Sequence, residues 1–177
     1  MKCIYYLSPS LKTTQEISDD IHSTGVDDWF LHIISKDEGG LSNQRLHSSN
    51  YLETQDVLRE AIIGGAVGFF IGALLSLMTL GLEPFGPDLP LVAYAGILFI
   101  LASFGVWVGG LAGLARENKK LARFHVDIEA GKYLVLIYAK QHQEENIKIM
   151  MLARHGEARL VAEDSHFMNP FSAPKVC

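Results

Sequence analysis

Two long apolar stretches without a single Asp, Glu, Lys or Arg lie in the middle of the chain. The first is Ala61–Leu82 and the second is Leu91–Ala115. At about 1.5 Å per residue, a helix over either stretch is long enough to cross a hydrocarbon core about 30 Å thick. A core helix of a soluble protein usually keeps one polar stripe, and neither stretch has one. The pattern therefore predicts two transmembrane helices.

The residues around the connection predict a short turn, and the charges outside it predict an orientation. The chain there reads GLEPFGPDLP, with prolines and acids but no Lys or Arg. Basic residues flank the two stretches on their outer sides: Arg59, Arg116, Lys119, Lys120 and Arg123. Because basic flanks of membrane helices stay in the cytoplasm, we expect both chain ends there and Pro84–Pro90 on the far side.

Small residues recur at every fourth position in both stretches. They are Gly64, Gly68, Gly72 and Ser76 in the first, and Gly105, Gly109 and Gly113 in the second. Residues four apart share one helix face, and a missing side chain lets another backbone approach closely. An antiparallel hairpin would pair Gly64 with Gly113, Gly68 with Gly109, and Gly72 with Gly105. The partner helix belongs either to the same chain or to a neighbouring one, and the sequence leaves both open.

A second row of small residues lies on another face of the second stretch. It consists of Gly96, Ser103 and Gly110. Glycine is common in membrane helices in general. Two matched triplets at one depth nevertheless favour close helix packing in the first row, and the second row is a candidate oligomer face.

Each flank of the apolar region has the pattern of a strand, a helix and a strand. The elements predicted before it are a strand at Lys2–Leu7, a helix at Leu11–Thr24 and a strand at Trp29–Ile34. Those predicted after it are a strand at Tyr133–Ala139, a helix at Gln141–Arg154 and a strand at Ala158–Ala162. Two strands alone make a marginal sheet. We therefore predict an α+β membrane protein, with a two-helix hairpin inserted into a split ferredoxin-like βαββαβ cytoplasmic domain.

This prediction divides the chain into six segments. Residues 1–36 and 133–164 are the two halves of the ferredoxin-like domain, and residues 61–115 are the hairpin. Residues 37–60 are a polar linker and a juxtamembrane helix that starts at Tyr51, and residues 116–132 are a juxtamembrane helix and turn. Residues 165–177 are an irregular tail.

Composition and charge exclude some classes of protein. Hydrophobic residues make up 49% of the chain, and the net charge is −5. An acidic protein lacks the basic face that nucleic acid requires. The two cysteines, Cys3 and Cys177, lie at opposite ends, which predicts neither a disulfide nor a thiolate metal site. The opening MKCIYYLSPS has no apolar run of signal-peptide length.

The segment LARHGE, Leu152–Glu157, is similar to the RHG motif of histidine phosphatases. In those enzymes the His is phosphorylated, the Arg binds phosphate, and the motif follows the first strand of a large α/β domain. Here the motif closes a helix, which is an ordinary place for Arg154, His155 and Gly156. We predict no catalytic residue and no enzyme.

The seven histidines do not form a recognisable metal-binding pattern. His125 with Asp127 and His142 with Glu145 are the nearest pairings with acids, and no HExxH or Cys/His set is present. His32 is expected to pack within the second strand or lie on the sheet surface. The glycines from Gly64 to Gly72 lie inside an apolar span, so they do not form a nucleotide-binding loop. We predict no metal and no cofactor.

Three motifs, IIGGAVGFFIGAL, GVWVGGLAG and EAGKYLVLIYA, carry a family resemblance. The chain resembles bacterial stress-associated membrane proteins in which αβ segments flank a glycine-zipper hairpin. It departs from them in the polar segment Lys36–Asn50 and in the proline-containing tail. The resemblance implies a multi-pass protein of the bacterial inner (plasma) membrane and a link to stress response. It implies no particular activity.

Three functions fit these patterns. The first is a non-enzymatic assembly or regulatory module that forms a homo-oligomer through the glycine-zipper helices, with a cytoplasmic domain that recruits a protein partner. The second is a small oligomeric channel or transporter, for example for a divalent cation, and the third is an accessory subunit of a larger membrane complex. A permeation path normally has ionisable groups or a carbonyl filter. The spans offer only Ser76, Thr79, Tyr94, Ser103 and Trp107, which favours the module.

Overall fold

The computed structural model describes residues 1–44, 46, 54–86, 89–166 and 169–177. Parts of the predicted linker (residues 45 and 47–53) and of the hairpin turn (residues 87–88) lie outside this range. The α-helices that lie wholly within the described residues are α1 Leu11–Ser23, α2 Glu38–Asn43, α3 Val57–Leu82, α4 Leu91–Leu114, α5 His125–Glu129 and α6 Glu144–Arg154. The strands are β1 Lys2–Ser8, β2 Leu31–Ile34, β3 Tyr133–Ala139, β4 Arg159–Asp164 and β5 Lys175–Val176.

The chain forms two compact units. One combines Met1–Asn50 with Lys119–Cys177, and the other is Tyr51–Asn118. The first contains the sheet, and the second contains the two long apolar helices α3 and α4. The predicted α+β class with two long apolar helices is confirmed.

The sheet has five strands in the order β2-β3-β1-β4-β5, and every neighbouring pair is antiparallel. The first four positions alternate between strands that precede the apolar helices and strands that follow them. Tyr5 of β1, for example, pairs with Leu136 of β3, and Ile33 of β2 pairs with Val135. Each half of the chain therefore supplies the hydrogen-bonding partners of the other half.

The apolar spacing along α1 matches its buried face. Ser10 caps the helix by accepting a hydrogen bond from the Thr13 backbone N–H at 3.2 Å. Ile17 and Ile21 are fully buried, as their four-residue spacing predicts. The chain leaves the helix through Gly25, whose φ of 82° suits a residue without a side chain.

Both faces of the sheet are covered by other parts of the chain. β1 has apolar side chains on both faces, and they are buried in two separate clusters. Ile4 and Tyr6 join the cluster that contains the buried side chains of α1 and α6. Cys3, Tyr5 and Leu7 point the other way, into a second cluster. Leu121 and Phe124 belong to that second cluster, and the Phe124 ring stacks on Tyr5 with a centroid separation of 6.0 Å.

The segment that covers this second face was predicted to be a juxtamembrane helix. This segment does not continue α4, which ends at Leu114. The backbone of Arg116 accepts a hydrogen bond from the Asp56 N–H at 3.0 Å instead of continuing the helix. A 3-10 turn, Ala122–Phe124, and α5 follow.

Two further parts of the chain differ from the prediction. The helix predicted to start at Tyr51 and run into the first apolar stretch does not run through residue 55, because Gln55 forms an isolated β-bridge with Glu117 and α3 begins at Val57. α3 ends at Leu82, and the next residue, Glu83, adopts a left-handed φ of 47°. The tail predicted as irregular contains β5, where Lys175 and Val176 pair with β4.

Candidate functional site

The two apolar helices approach each other at backbone distance where the glycines lie. A Cβ atom on Gly68 would overlap the Leu101 carbonyl oxygen and would lie 3.2 Å from the Ala102 Cα. A Cβ on Gly64 would overlap the Gly105 carbonyl oxygen and lie 3.0 Å from the Gly109 Cα. The glycines of α3 and the glycines of α4 therefore face each other within one chain, and this contact requires glycine at these positions.

The register of this contact differs from the predicted pairs by about one helical turn. Gly64 lies between Gly105 and Gly109, and a Cβ on Gly113 would lie 2.6 Å from the Val57 Cα. The pairing of Gly64 with Gly113 was therefore wrong. The same shift places Gly68 beside Gly105 rather than Gly109, and Gly72 beside Leu98 rather than Gly105.

The positions of the helix ends explain the shift. Gly64 is 18 residues before Leu82, the last residue of α3, and Gly109 is 18 residues after Leu91, the first residue of α4. Since both helices rise about 1.5 Å per residue, these two glycines reach the same height. The predicted pairing would have required Gly113, four residues further, to reach that height.

The remaining small residues are not all part of this contact. Among the described residues, no heavy atom outside the adjoining backbone lies within 4 Å of a Cβ placed on Gly96, and Ser103 is exposed. A Cβ placed on Gly110 would lie 3.9 Å from the Ala61 Cβ. Ser76 extends the first row, and its hydroxyl has no hydrogen-bond partner among the described residues. The second row is thus largely unoccupied within the chain.

Charged residues close the open end of the hairpin. Arg116 donates a hydrogen bond to the Glu60 carboxylate at 2.9 Å, and Arg59 contacts Glu60 at 3.6 Å and Asp56 at 3.3 Å. The backbone N–H of Asn118 donates to the Thr54 carbonyl at 2.9 Å in the same region. Sequence reasoning used these arginines only to orient the helices. The missed signal was that Glu60 and Arg116 each lie one residue outside an uncharged stretch.

The two sides of the α3–α4 contact differ: a side chain lies over the glycines on one side, and a groove is open on the other. On one side the Val106 side chain reaches over Gly65, 2.7 Å from its virtual Cβ. On the other side is a groove of about 410 Å³. Its lining residues are Glu60, Ile63, Gly64, Val67, Gly68, Ile71, Leu101, Phe104, Gly105, Val108, Gly109 and Ala112.

In the α+β unit, a closed network of four charges joins β1, α6 and β4. Lys2 and Lys148 each bridge Glu144 and Glu163, at N–O distances of 2.5–3.1 Å. The hydrogen bonds from Lys148 and Lys2 lower the pKa of Glu144. Burial opposes the ionisation of Glu163, but the same two lysines outweigh it and lower that pKa as well.

We predict that Lys148→Met lowers the free energy of unfolding by about 2 kcal/mol near pH 7, because both carboxylates lose a charged donor. Since the pKa values of Glu144 and Glu163 lie below the ordinary 4.5 in the folded state, this stabilisation is complete above pH 4.5 and declines as the pH falls further. The measurement is the thermal unfolding midpoint at pH 7 and at about pH 3. Lys12→Met is the matched control because the Lys12–Glu16 pair is solvent-exposed. Equal midpoints for both variants at pH 7 would contradict the prediction.

The RHG segment lies at the end of α6, and its side chains bind α1. Arg154 donates a hydrogen bond to Asp20 at 2.8 Å, and His155 Nε2 lies 2.9 Å from the other Asp20 oxygen. The hydrogen bond from His155 lowers the pKa of Asp20. Both side chains of the motif therefore tie the two helices together.

The histidine and acid pairings do not extend to a metal-ligand set. No group of three or more His, Cys, Asp or Glu side chains in the described part of the chain is placed to hold a metal ion. His32 packs edge-on against the Tyr138 ring, with a centroid separation of 5.5 Å. Cys3 is buried and Cys177 is exposed, and no disulfide links cysteines in the described part of the chain.

Comparison of the chain with protein-family models, with curated proteins and with solved structures gave no match.

Proposed function

We propose that this chain is an integral membrane protein whose α3 and α4 cross the bilayer as a hairpin. The observation that carries the proposal is the exposure of these helices. They have 26 and 24 residues and a mean hydropathy of 2.2 each, yet only 11% and 0% of their most apolar windows is buried within the chain. An apolar surface of this extent requires an apolar environment, and backbone hydrogen bonds within a helix satisfy the polar groups there.

We further propose that the α+β unit is a split ferredoxin-like domain. The strand order β4-β1-β3-β2, with α1 between β1 and β2 and α6 between β3 and β4, supports this assignment. Under this proposal the hairpin is an insertion between β2 and β3.

The function that fits best is a membrane-anchored assembly or regulatory module. In this proposal the glycines of α3 and α4 that face each other, such as Gly64 and Gly109, hold the two helices together within each chain. The second row, Gly96, Ser103 and Gly110, then contributes to a homo-oligomer, and the cytoplasmic unit recruits a protein partner. A place in the bacterial inner membrane and a role in stress response follow from the family resemblance.

The same structure gives less support to a channel. Among the described residues, Glu60 is the only charged side chain that lines the α3–α4 groove, and it forms ion pairs with Arg116 and Arg59. Ion paths normally present ionisable groups that face water.

The proposed orientation predicts the outcome of reporter fusions. A reporter inserted near Phe85 should be active only in the exported form, whereas reporters at Met1 or Cys177 should be active only in the cytoplasm, because the basic residues lie outside the hairpin. Paired periplasmic and cytoplasmic reporters provide the measurement. An exported reporter at Cys177 would overturn the orientation.

The oligomer is tested by the native mass of the full-length protein in mild detergent. We expect a defined multiple of the chain mass of 19.6 kDa. A single chain at every detergent concentration would contradict self-assembly. Foreign chains that persist through purification would favour an accessory subunit instead.

A further inference from the structure

We propose that the open groove between α3 and α4 binds one phospholipid. One acyl chain lies along the groove, and the lipid phosphate contacts Arg116. This inference rests on the proposed membrane insertion and goes beyond it. It assigns a specific lipid site to one face of the hairpin, whereas Val106 fills the opposite face.

The length of the groove fits one acyl chain of one bilayer leaflet. On α3 it extends from Glu60 to Ile71, which is about 17 Å at 1.5 Å per residue. This is about half of a hydrocarbon core about 30 Å thick, which is the depth that the acyl chains of one leaflet occupy.

The direction and the lining of the groove fit the same ligand. It runs along the two helices, which is the direction of the acyl chains in a bilayer. Val67, Phe104 and Val108 are exposed apolar lining residues, and Gly64 and Gly68 lie at the helix contact. An unfilled groove would forfeit dispersion contacts along its whole length, so an apolar occupant is favoured.

The polar end of the groove supplies a partner for a headgroup. Glu60 lines this end and accepts a hydrogen bond from Arg116. The Arg116 side chain is 63% exposed, so its remaining N–H donors are available to a phosphate oxygen. Because Arg59 also contacts Glu60, binding a phosphate at Arg116 does not leave the carboxylate without a cation.

The test counts phospholipid that stays with the full-length protein after extraction in mild detergent, by native mass spectrometry and by phosphorus assay. The wild-type protein should retain about one phospholipid per chain. Val108→Phe, which narrows the groove from the α4 wall, should lower this number at least fivefold, and Val67→Phe should do so from the α3 wall. Arg116→Gln should also lower it. Leu74→Phe is the matched control, because Leu74 is 59% exposed on α3 and does not line the groove.

Three results would overturn the lipid site. The first is an equal number of retained phospholipids in both groove variants and in Leu74→Phe. The second is a wild-type protein that retains no phospholipid, and the third is a pair of groove variants that change the oligomer mass but not the lipid count. A thermal midpoint close to that of the wild-type protein shows that a variant is folded. If one of the two groove variants does not fold, the other one still tests the lipid site. Release of the protein from membranes by alkaline carbonate without detergent would refute the membrane insertion itself. Resistance to carbonate together with unchanged lipid counts would refute only the lipid site.

Discussion

Replacing Gly68 with Leu should separate α3 from α4 and lower the free energy of unfolding by at least about 3 kcal/mol. A Cβ at this position would overlap the Leu101 carbonyl oxygen, and it would lie 2.9 Å from the Leu101 carbonyl carbon and 3.2 Å from the Ala102 Cα. All three are backbone atoms, which cannot rotate away as a side chain can. The helices must therefore move apart along their whole contact. The measurement is the thermal unfolding midpoint of the full-length protein in detergent.

Gly81→Leu is the matched control for this effect. It makes the same change on α3, but among the described residues no heavy atom outside the adjoining backbone lies within 4 Å of a Cβ placed on Gly81. Leu also has a better helix propensity than Gly, so the midpoint should equal or slightly exceed that of the wild-type protein. If Gly68→Leu and Gly81→Leu have the same midpoint, close approach at the glycines does not stabilise the hairpin. The native mass of a third variant, Gly96→Leu, separately reports on the proposed oligomer face.

The spacing of glycines predicted which helix faces meet, but it did not predict their register. The spacing is a local property, because residues four apart lie on one face of any α-helix. The register depends on where the chain leaves α3 and enters α4. The sequence around Gly81–Pro90 offers several prolines and glycines at which either helix can end, so it allows more than one register between Gly64 and the glycines of α4.

The strands show the same division between local and distant information. β1 has apolar residues on both faces, as in Ile4 and Tyr5, which is the pattern of a strand buried on both sides. The segment that covers the second face follows α4, and its charged start, Arg116–Lys120, resembles a helix extension in solvent. Its attachment becomes clear only in three dimensions, where Lys120 forms a buried ion pair with Asp164 at 2.7 Å.

The candidate site contains contacts that no local pattern indicates. Glu60 and Arg116 are 56 residues apart, and Lys2 and Glu144 are 142 residues apart. The sequence supplies charges of both signs at many positions, and only the paired arrangement of the two halves selects these partners.

Joining the two parts of the α+β unit through a flexible linker should yield a soluble protein that folds cooperatively without the apolar helices. We predict this for Met1–Leu46 joined to Lys119–Cys177 through about 15 flexible Gly and Ser residues. This version keeps all five strands and both apolar clusters, including Leu46, which packs against the first cluster. A shorter version, Met1–Lys36 joined to Gly131–Asp164, lacks Leu121 and Phe124. It should aggregate or unfold without a cooperative transition, because one apolar face of its sheet is exposed.

In the longer version, a single substitution tests whether the segment after α4 covers one face of the sheet. Phe124→Ala should lower the free energy of unfolding by about 3–5 kcal/mol, because the ring is buried in the second cluster and stacks on Tyr5. Val126→Ala is the matched control two residues away, where the side chain is 78% exposed, and its effect should stay within about 0.5 kcal/mol. Urea denaturation followed by circular dichroism measures both. Equal stabilities of the two variants would show that the segment after α4 does not cover the sheet. A longer version that remains unfolded would show that the halves pair only when the apolar helices connect them, or that they pair between chains.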